Sequence, residues 1–321
     1  MSEFVIDAFR DAAANTGSRI YRLARAAKLK SDFARVFSTH LGHLIGGGRF
    51  EAEGLLVIGP SGTGKTTEIR ALIQQFNKDD IALPDGSRAR FAECVLKGIG
   101  TWKDLGKATA RAIGYPVSPK ARLTQSAIWD IVVREAKLAG VIGIHFDEAQ
   151  HIFREKSVAD RLGVLDSFKT LMKSHDWPLM LIFSGVPELD GYVKEEPQLH
   201  RLLTHIHFND INLPEDYETI HQIVGSYALV AGIDLDAYLM SQDFFHRLAE
   251  AAASRWGLLI AVTKFAVAEA QRAGSSKLVR DHFTAWWVSK TEVSWVATPF
   301  THRDFRTLYR KDDAFIKALQ D

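Results

Sequence analysis

The segment Leu55-Leu56-Val57-Ile58-Gly59-Pro60-Ser61-Gly62-Thr63-Gly64-Lys65-Thr66-Thr67 constrains this chain more than any other stretch. Four consecutive apolar residues predict a buried strand, the glycines after them predict a tight loop, and a helix is expected from about Thr66 to Phe76. The loop fits G-x-x-x-x-G-K-[ST]. In that pattern glycines let backbone amides converge on phosphate oxygens, the lysine reaches the outer phosphates, and the next hydroxyl supplies an oxygen to magnesium. Gly59, Pro60, Ser61, Gly62, Thr63, Gly64, Lys65, Thr66 and Thr67 are therefore the expected nucleotide-binding residues. Thr66 is also an expected magnesium ligand.

Other short apolar runs follow at 91–96, 141–146, 179–183 and 206–211, separated by helical stretches, which is the pattern of a parallel sheet covered on both faces. Beyond Pro214 strands are expected to stop, and 215–231, 241–256, 257–273 and 278–289 read as four helices, with Ser241 as an N-cap and Gly274 as a stop. The expected organisation is a helical extension over 1–50, an α/β domain over 51–213, a smaller helical domain over 214–290 and a tail over 291–321. The extension reads as helical from 3 to 45, with breaks near Gly17 and between Lys30 and Ser31, and ends in a flexible link at Gly46-Gly47-Gly48. Between residues 19 and 35 the cations Arg19, Arg22, Arg25, Lys28, Lys30 and Arg35 face one acid, Asp32, so a solvated helix face and a phosphate-contacting surface are both open. The tail, with Arg303, Arg306, Arg310 and Lys311 among aromatics, reads either as a docking segment or as a terminal helix.

The hydrophobic fraction of 46% is enough for a sizeable core in 321 residues and excludes disorder as the class. Forty basic residues against thirty-nine acidic ones leave a net charge of +1, so any attraction to nucleic acid must come from a local surface. The single cysteine, Cys94, falls in a predicted strand and reads as a buried apolar residue. No run approaches the ~18 apolar residues of a membrane span. The expectation is a cytoplasmic protein with no membrane partner.

The run at 141–146 ends in Asp147-Glu148-Ala149-Gln150-His151. Delivered beside the phosphate loop, Asp147 holds magnesium through its water shell, and Glu148 orients and deprotonates the attacking water. His145 and His151 lack cysteine neighbours and HExxH spacing, so they read as structural. The run at 179–183 ends at Ser184-Gly185; if it lies between the two nucleotide-binding strands, Ser184 reaches the γ-phosphate or the water. Arg201, in Pro197-Gln198-Leu199-His200-Arg201-Leu202, sits where ring-forming ATPases place an arginine at the subunit edge.

A helical extension, GPSGTGKTT, FDEAQH, FSGVPEL, QLHR and a helical lid together resemble the AAA+ ATPases of DNA transposition, the TniB and TnsC group related to MuB, over roughly residues 30 to 290. The resemblance implies an AAA+ P-loop NTPase: an α/β fold with a parallel sheet flanked by helices and a small C-terminal helical lid. It implies ATP and Mg2+ as cofactors, and ATP-dependent self-association into a ring or filament on double-stranded DNA. It also implies recruitment of a transposase, with a target-selection protein as a further partner, and disassembly on hydrolysis. Residue by residue it assigns Lys65 and Thr66 to nucleotide and metal, and Asp147 and Glu148 to metal and hydrolysis. Ser184 becomes the sensor and Arg201 the arginine acting in trans. Where relatives approach DNA this chain offers Lys97, Thr101, Lys103 and Lys107, then Lys120 and Arg122. The lid position that carries a sensing arginine in many AAA+ proteins falls on an apolar residue, leaving Arg255 or Lys264 as substitutes. The competing reading is a signalling or defence NTPase whose helical ends bind protein without DNA. A helicase or replication initiator is less favoured because no winged-helix pattern follows the lid.

Overall fold

Strands β1 (Gly54–Ile58), β2 (Arg90–Val95), β3 (Val141–Asp147), β4 (Met180–Gly185) and β5 (Leu203–His207) form one parallel sheet in the order β2-β3-β4-β1-β5. The computed structural model describes residues 21, 23–96, 101–118 and 121–308. Every residue of β1, β3 and β4 is buried, as expected of central strands covered on both faces. In a parallel sheet all carboxyl ends face one way, so this order brings the ends of β1, β4 and β3 side by side. The fifth strand begins earlier than the run at 206–211 predicts. It is an edge strand in which only Leu203 and Ile206 are buried, three positions apart and so on opposite faces, with the half-buried polar residues Thr204 and His205 interrupting any apolar run.

The described chain divides into two compact units. Residues 24–60 and 65–208 form the α/β unit, which contains the sheet together with α1 (Ala24–Gly46), α2 (Lys65–Lys78), α3 (Trp102–Ile113), α4 (Gln125–Leu138), α5 (Val158–Met172), α6 (Glu188–Lys194) and α7 (Pro197–Leu202). Helix α1 runs unbroken through Lys30 and Ser31, against the expectation of a break there, because Leu29, Phe33, Val36, Phe37 and His40 form one buried stripe across that point. Phe33 and Phe37 pack edge-on against Phe76 of α2, with ring centroids 5.3 and 4.9 Å apart. The basic run on α1 is largely engaged within the unit: Lys28 pairs with Asp32, Arg35 reaches Glu53 and Thr204, and the Arg25 guanidinium lies 4.6 Å from the centre of the Phe208 ring. Cys94 is buried on β2, and burial pushes its thiol up to about 11.

The second unit gathers residues 61–64 and 209–308 with Tyr21 and Leu23. Its helices are α8 (Tyr217–Val230), α9 (Gln242–Ala251), α10 (Trp256–Arg272) and α11 (Arg280–Thr291), around a core that includes Ile220, Leu248, Leu259, Phe283 and Trp287. The Ser241 side chain caps α9 by accepting the Phe244 N–H at 3.2 Å, and Gly274 takes a φ of 62° after α10. Strands do not stop at Pro214. β6 (Asp234–Leu235) and β7 (Lys277–Leu278) pair in parallel, too short to leave an apolar run in the sequence. The described part of the tail, up to residue 308, packs on this unit: Phe300 is fully buried, and Arg247 donates to the carbonyls of Pro299 and His302 while covering the Phe305 ring.

The helix expected over 3–20, the break at Gly17, and Arg19, Arg22, Lys97, Lys120, Arg310 and Lys311 lie outside the described residues. No single helix among the described residues is long and apolar enough to cross a membrane.

Candidate nucleotide site

The phosphate loop joins the end of β1 to the start of α2. Gly62 and Gly64 have φ of 76° and 93°, a region that L side chains rarely adopt, so their lack of a Cβ lets the loop close. Lys65, only 4% exposed, opens α2 and donates from Nζ to the carbonyls of Gly59 at 2.7 Å and Pro60 at 3.0 Å. The ammonium is thus held over the loop, within a 14-residue helix N-terminus whose amides favour anions.

Three elements meet at the Asp147 carboxylate. The Thr66 hydroxyl donates to Oδ1 at 3.1 Å, the Ser184 hydroxyl at 2.7 Å and the Glu148 N–H at 3.1 Å. Strand β4 does lie between β1 and β3, which is what brings Ser184 to Asp147. Because Ser184 gives its proton to Asp147, its oxygen accepts from His145 Nε2–H at 2.8 Å, which fixes that tautomer of the imidazole. Burial holds His145 below its ordinary value, so the ring is neutral near pH 7. Arg70 of α2 bridges outward: its Nε donates to Glu93 of β2, and Nη2 lies 3.9 Å from Asp147 Oδ2.

Glu148 adopts φ 52° and ψ 43°, the left-handed region, where a non-glycine residue carries strain of about 1 kcal/mol or more. Its carboxylate accepts from Gln150 Nε2, and Gln150 Oε1 in turn accepts the Val186 N–H at 3.4 Å. A Cβ on Gly185 would stand 2.3 Å from Gln150 Oε1, so glycine there is what admits the glutamine. Reading the sequence did not give roles to Gln150 or Arg70, and took His145 as structural. Gln150 lies in the turn three residues past β3, and its approach to Gly185 at the end of β4 left no signal in the sequence.

The remaining expected residues are dispersed. Arg201 on α7 is 75% exposed, with Glu51 4.0 Å away as an ion-pair partner. The Thr101 side chain caps α3, accepting the Asp104 N–H and donating to its carboxylate, so its hydroxyl already has a structural task. Lys103 and Lys107 are half-buried on α3, and Arg122 is exposed. In the helical unit Arg255 pairs with Asp210, and Lys264 lies 5.4 Å from the centre of the Tyr227 ring, its pKa lowered by burial. Gly257, at the start of α10, donates its N–H to the Gly62 carbonyl at 3.0 Å; a Cβ there would lie 2.5 Å from that oxygen.

Residues 49–193 match the AAA domain family. A comparison with curated proteins finds no match. Among solved structures, the Aeropyrum pernix ORC1 protein in complex with DNA is similar at a TM-score of 0.62 and 17% identity, covering 87% of this chain and 69% of that one. Cdc6p from Pyrobaculum aerophilum gives 0.60 and 16% over 86% and 71% of the two chains. Drosophila ORC bound to DNA gives 0.56 and 12% over 92% and 69%. With the β1 loop and the sheet order described above, these likenesses define the fold as that of the AAA+ P-loop proteins.

Proposed function

We propose that the chain is an ATP-hydrolysing AAA+ switch that assembles on double-stranded DNA, recruits a transposase and disassembles when ATP is spent. The observation that carries the hydrolytic half is the convergence of the Thr66 and Ser184 hydroxyls on Asp147 Oδ1, one residue from Glu148. The residues present fit magnesium and a triphosphate. A hydroxyl and a carboxylate 3.1 Å apart match a hydrated divalent ion, and Lys65 Nζ already donates to two carbonyl oxygens, as it would to phosphate oxygens. When bound, the nucleotide supplies the phosphoryl group and the metal offsets its charge. Lys65 then binds the outer phosphates, Thr66 and Asp147 hold the ion, Glu148 takes the proton of the attacking water, and Ser184 orients that water. Arg201, exposed at the unit's surface, serves a neighbouring subunit's site.

The DNA half rests on the resemblance in sequence and on similarity to structures described as bound to DNA. Lys97, Lys103, Lys120 and Arg122, repeated in every subunit, supply the phosphate contacts that a chain of net charge +1 otherwise lacks. The test is sedimentation of the chain with a slowly hydrolysed ATP analogue, with and without duplex DNA, across a salt series. Nucleotide-dependent co-sedimentation that weakens with salt, and is lost when Lys65→Ala abolishes nucleotide binding, supports the proposal. Assembly that ignores DNA makes the protein-binding NTPase the better reading.

A further inference from the structure

Asp190 of α6, His200 of α7 and His205 of β5 bring three ligand atoms within 4.8 Å of one another, in the α/β unit and apart from the Asp147 network. Asp190 Oδ1 lies 3.5 Å from His205 Nδ1 and 4.0 Å from His200 Nε2, and the two imidazole centres are 4.2 Å apart. Asp190 Oδ1 and His200 Nε2 are shielded from solvent yet have no hydrogen-bond partner. Such atoms normally cost free energy unless something satisfies them. His205 Nε2 faces the His200 carbonyl at 3.5 Å, which favours the tautomer that leaves Nδ1 as a lone pair turned toward Asp190. Lys194 Nζ sits on the other oxygen, Oδ2, at 2.5 Å, which leaves Oδ1 as the free acceptor.

We infer that Asp190, His200 and His205 form a binding site for one late first-row divalent metal, with zinc as the natural probe. Two imidazoles and one carboxylate are the donor set of zinc rather than of magnesium or calcium. Tetrahedral bonds of about 2.0–2.2 Å require ligand atoms about 3.3–3.6 Å apart. One pair already meets that spacing, and small side-chain rotations bring in the third. Water takes the fourth position. The ion ties α6, α7 and β5 into one corner and so steadies the short helix that carries Arg201, the residue after His200. That consequence for assembly rests on the proposed role of Arg201; the metal site itself does not.

The test uses the full, untagged chain without nucleotide, stripped with EDTA and titrated with Co2+ and then Zn2+. The expected result is one equivalent of Co2+ with the visible bands of four-coordinate geometry, displaced by one equivalent of zinc. His200→Ala, His205→Ala and the volume-preserving His200→Gln each weaken zinc by at least about 10-fold. His175→Ala, which alters an exposed histidine beside Asp176, leaves binding unchanged. Absence of four-coordinate Co2+ bands from the stripped wild-type chain overturns the inference without any variant, and so does equal zinc affinity in wild type and His200→Gln. Either result makes the cluster an ordinary carboxylate–imidazole contact and leaves the nucleotide proposal untouched.

Discussion

Asp147 and Asp190 both lie near histidines, but they are satisfied in opposite ways. Asp147 is 5% exposed and its Oδ1 collects two hydroxyls and an amide, all neutral donors, with His145 one step away behind Ser184. Asp190 meets its imidazoles directly, and Oδ1 receives no hydrogen bond from either. Neutral donors, two of them rotatable hydroxyls, suit a carboxylate that must exchange partners as an ion and nucleotide come and go. Lone pairs turned toward one another suit a fixed cation. His40 on α1 supplies a third case: it is 2% exposed, and among the described residues neither ring nitrogen has a hydrogen-bond partner and no carboxylate pairs with it.

The largest effect is expected next to Asp147. Glu148→Gln removes the base while Asp147, Thr66 and Lys65 keep their contacts, so turnover should fall about 10²–10⁴-fold with nucleotide affinity nearly unchanged. Single-turnover hydrolysis beside calorimetric binding separates the two. Equal rates in both proteins remove Glu148 from the chemistry. Lys65→Ala should act on the other quantity: losing a buried, hydrogen-bonded cation costs about 2–5 kcal/mol, so ATP affinity drops roughly 30-fold or more. A titration that finds wild-type affinity removes the loop from nucleotide binding.

His40 sharpens the contrast through pH. Burial, with a smaller contribution from His43, lowers its pKa to about 4 from 6.5. The unfolded chain therefore takes up the proton first. The resulting stability is fully present above pH 6.5 and is lost as pH falls from there toward 4, by at most about 3 kcal/mol. Denaturation of wild type and His40→Phe across that window should show the variant with the flatter dependence. Parallel curves mean that His40 titrates normally.

What the sequence made legible follows chain locality. The phosphate loop, Asp147-Glu148 and Ser184 each sit at the end of an apolar run, and a parallel sheet collects such ends on one side, so their approach follows from the class of fold. Gln150 escaped because its task depends on Gly185 across the strand boundary, 35 positions away. Arg70 escaped because α2 turns it toward Glu93 on β2 and Asp147 on β3. Asp190, His200 and His205 sit on three elements with no ligand spacing in the sequence, and only the corner made by α6, α7 and β5 brings them together. The early start of β5 has a local origin: Thr204 and His205 stand between Leu203 and Ile206, so this edge strand leaves no continuous apolar run.

The finest test asks whether His145 acts on Asp147 only through Ser184. Ser184→Ala removes one hydroxyl from a charged acceptor, worth about 1.5–3 kcal/mol, so turnover at fixed magnesium should fall roughly 10–100-fold. His145→Ala leaves Ser184 bound to Asp147 but free to rotate, and should cost less, about 1 kcal/mol in the same assay. If the imidazole only steers the serine, its removal matters no longer once the hydroxyl is gone. The double variant should then be as slow as Ser184→Ala alone, giving a coupling energy of about 1 kcal/mol in kcat, while unfolding free energies add separately. His145→Gln offers an amide N–H in place of the ring donor and should recover part of kcat only when Ser184 is present. Additive losses in kcat break the relay and return His145 to a packing role. Coupling that appears in kcat but not in KM places the histidine behind the sensor, a positioning residue that reaches Asp147 through one hydroxyl, whereas the histidines at Asp190 meet their carboxylate with nothing between.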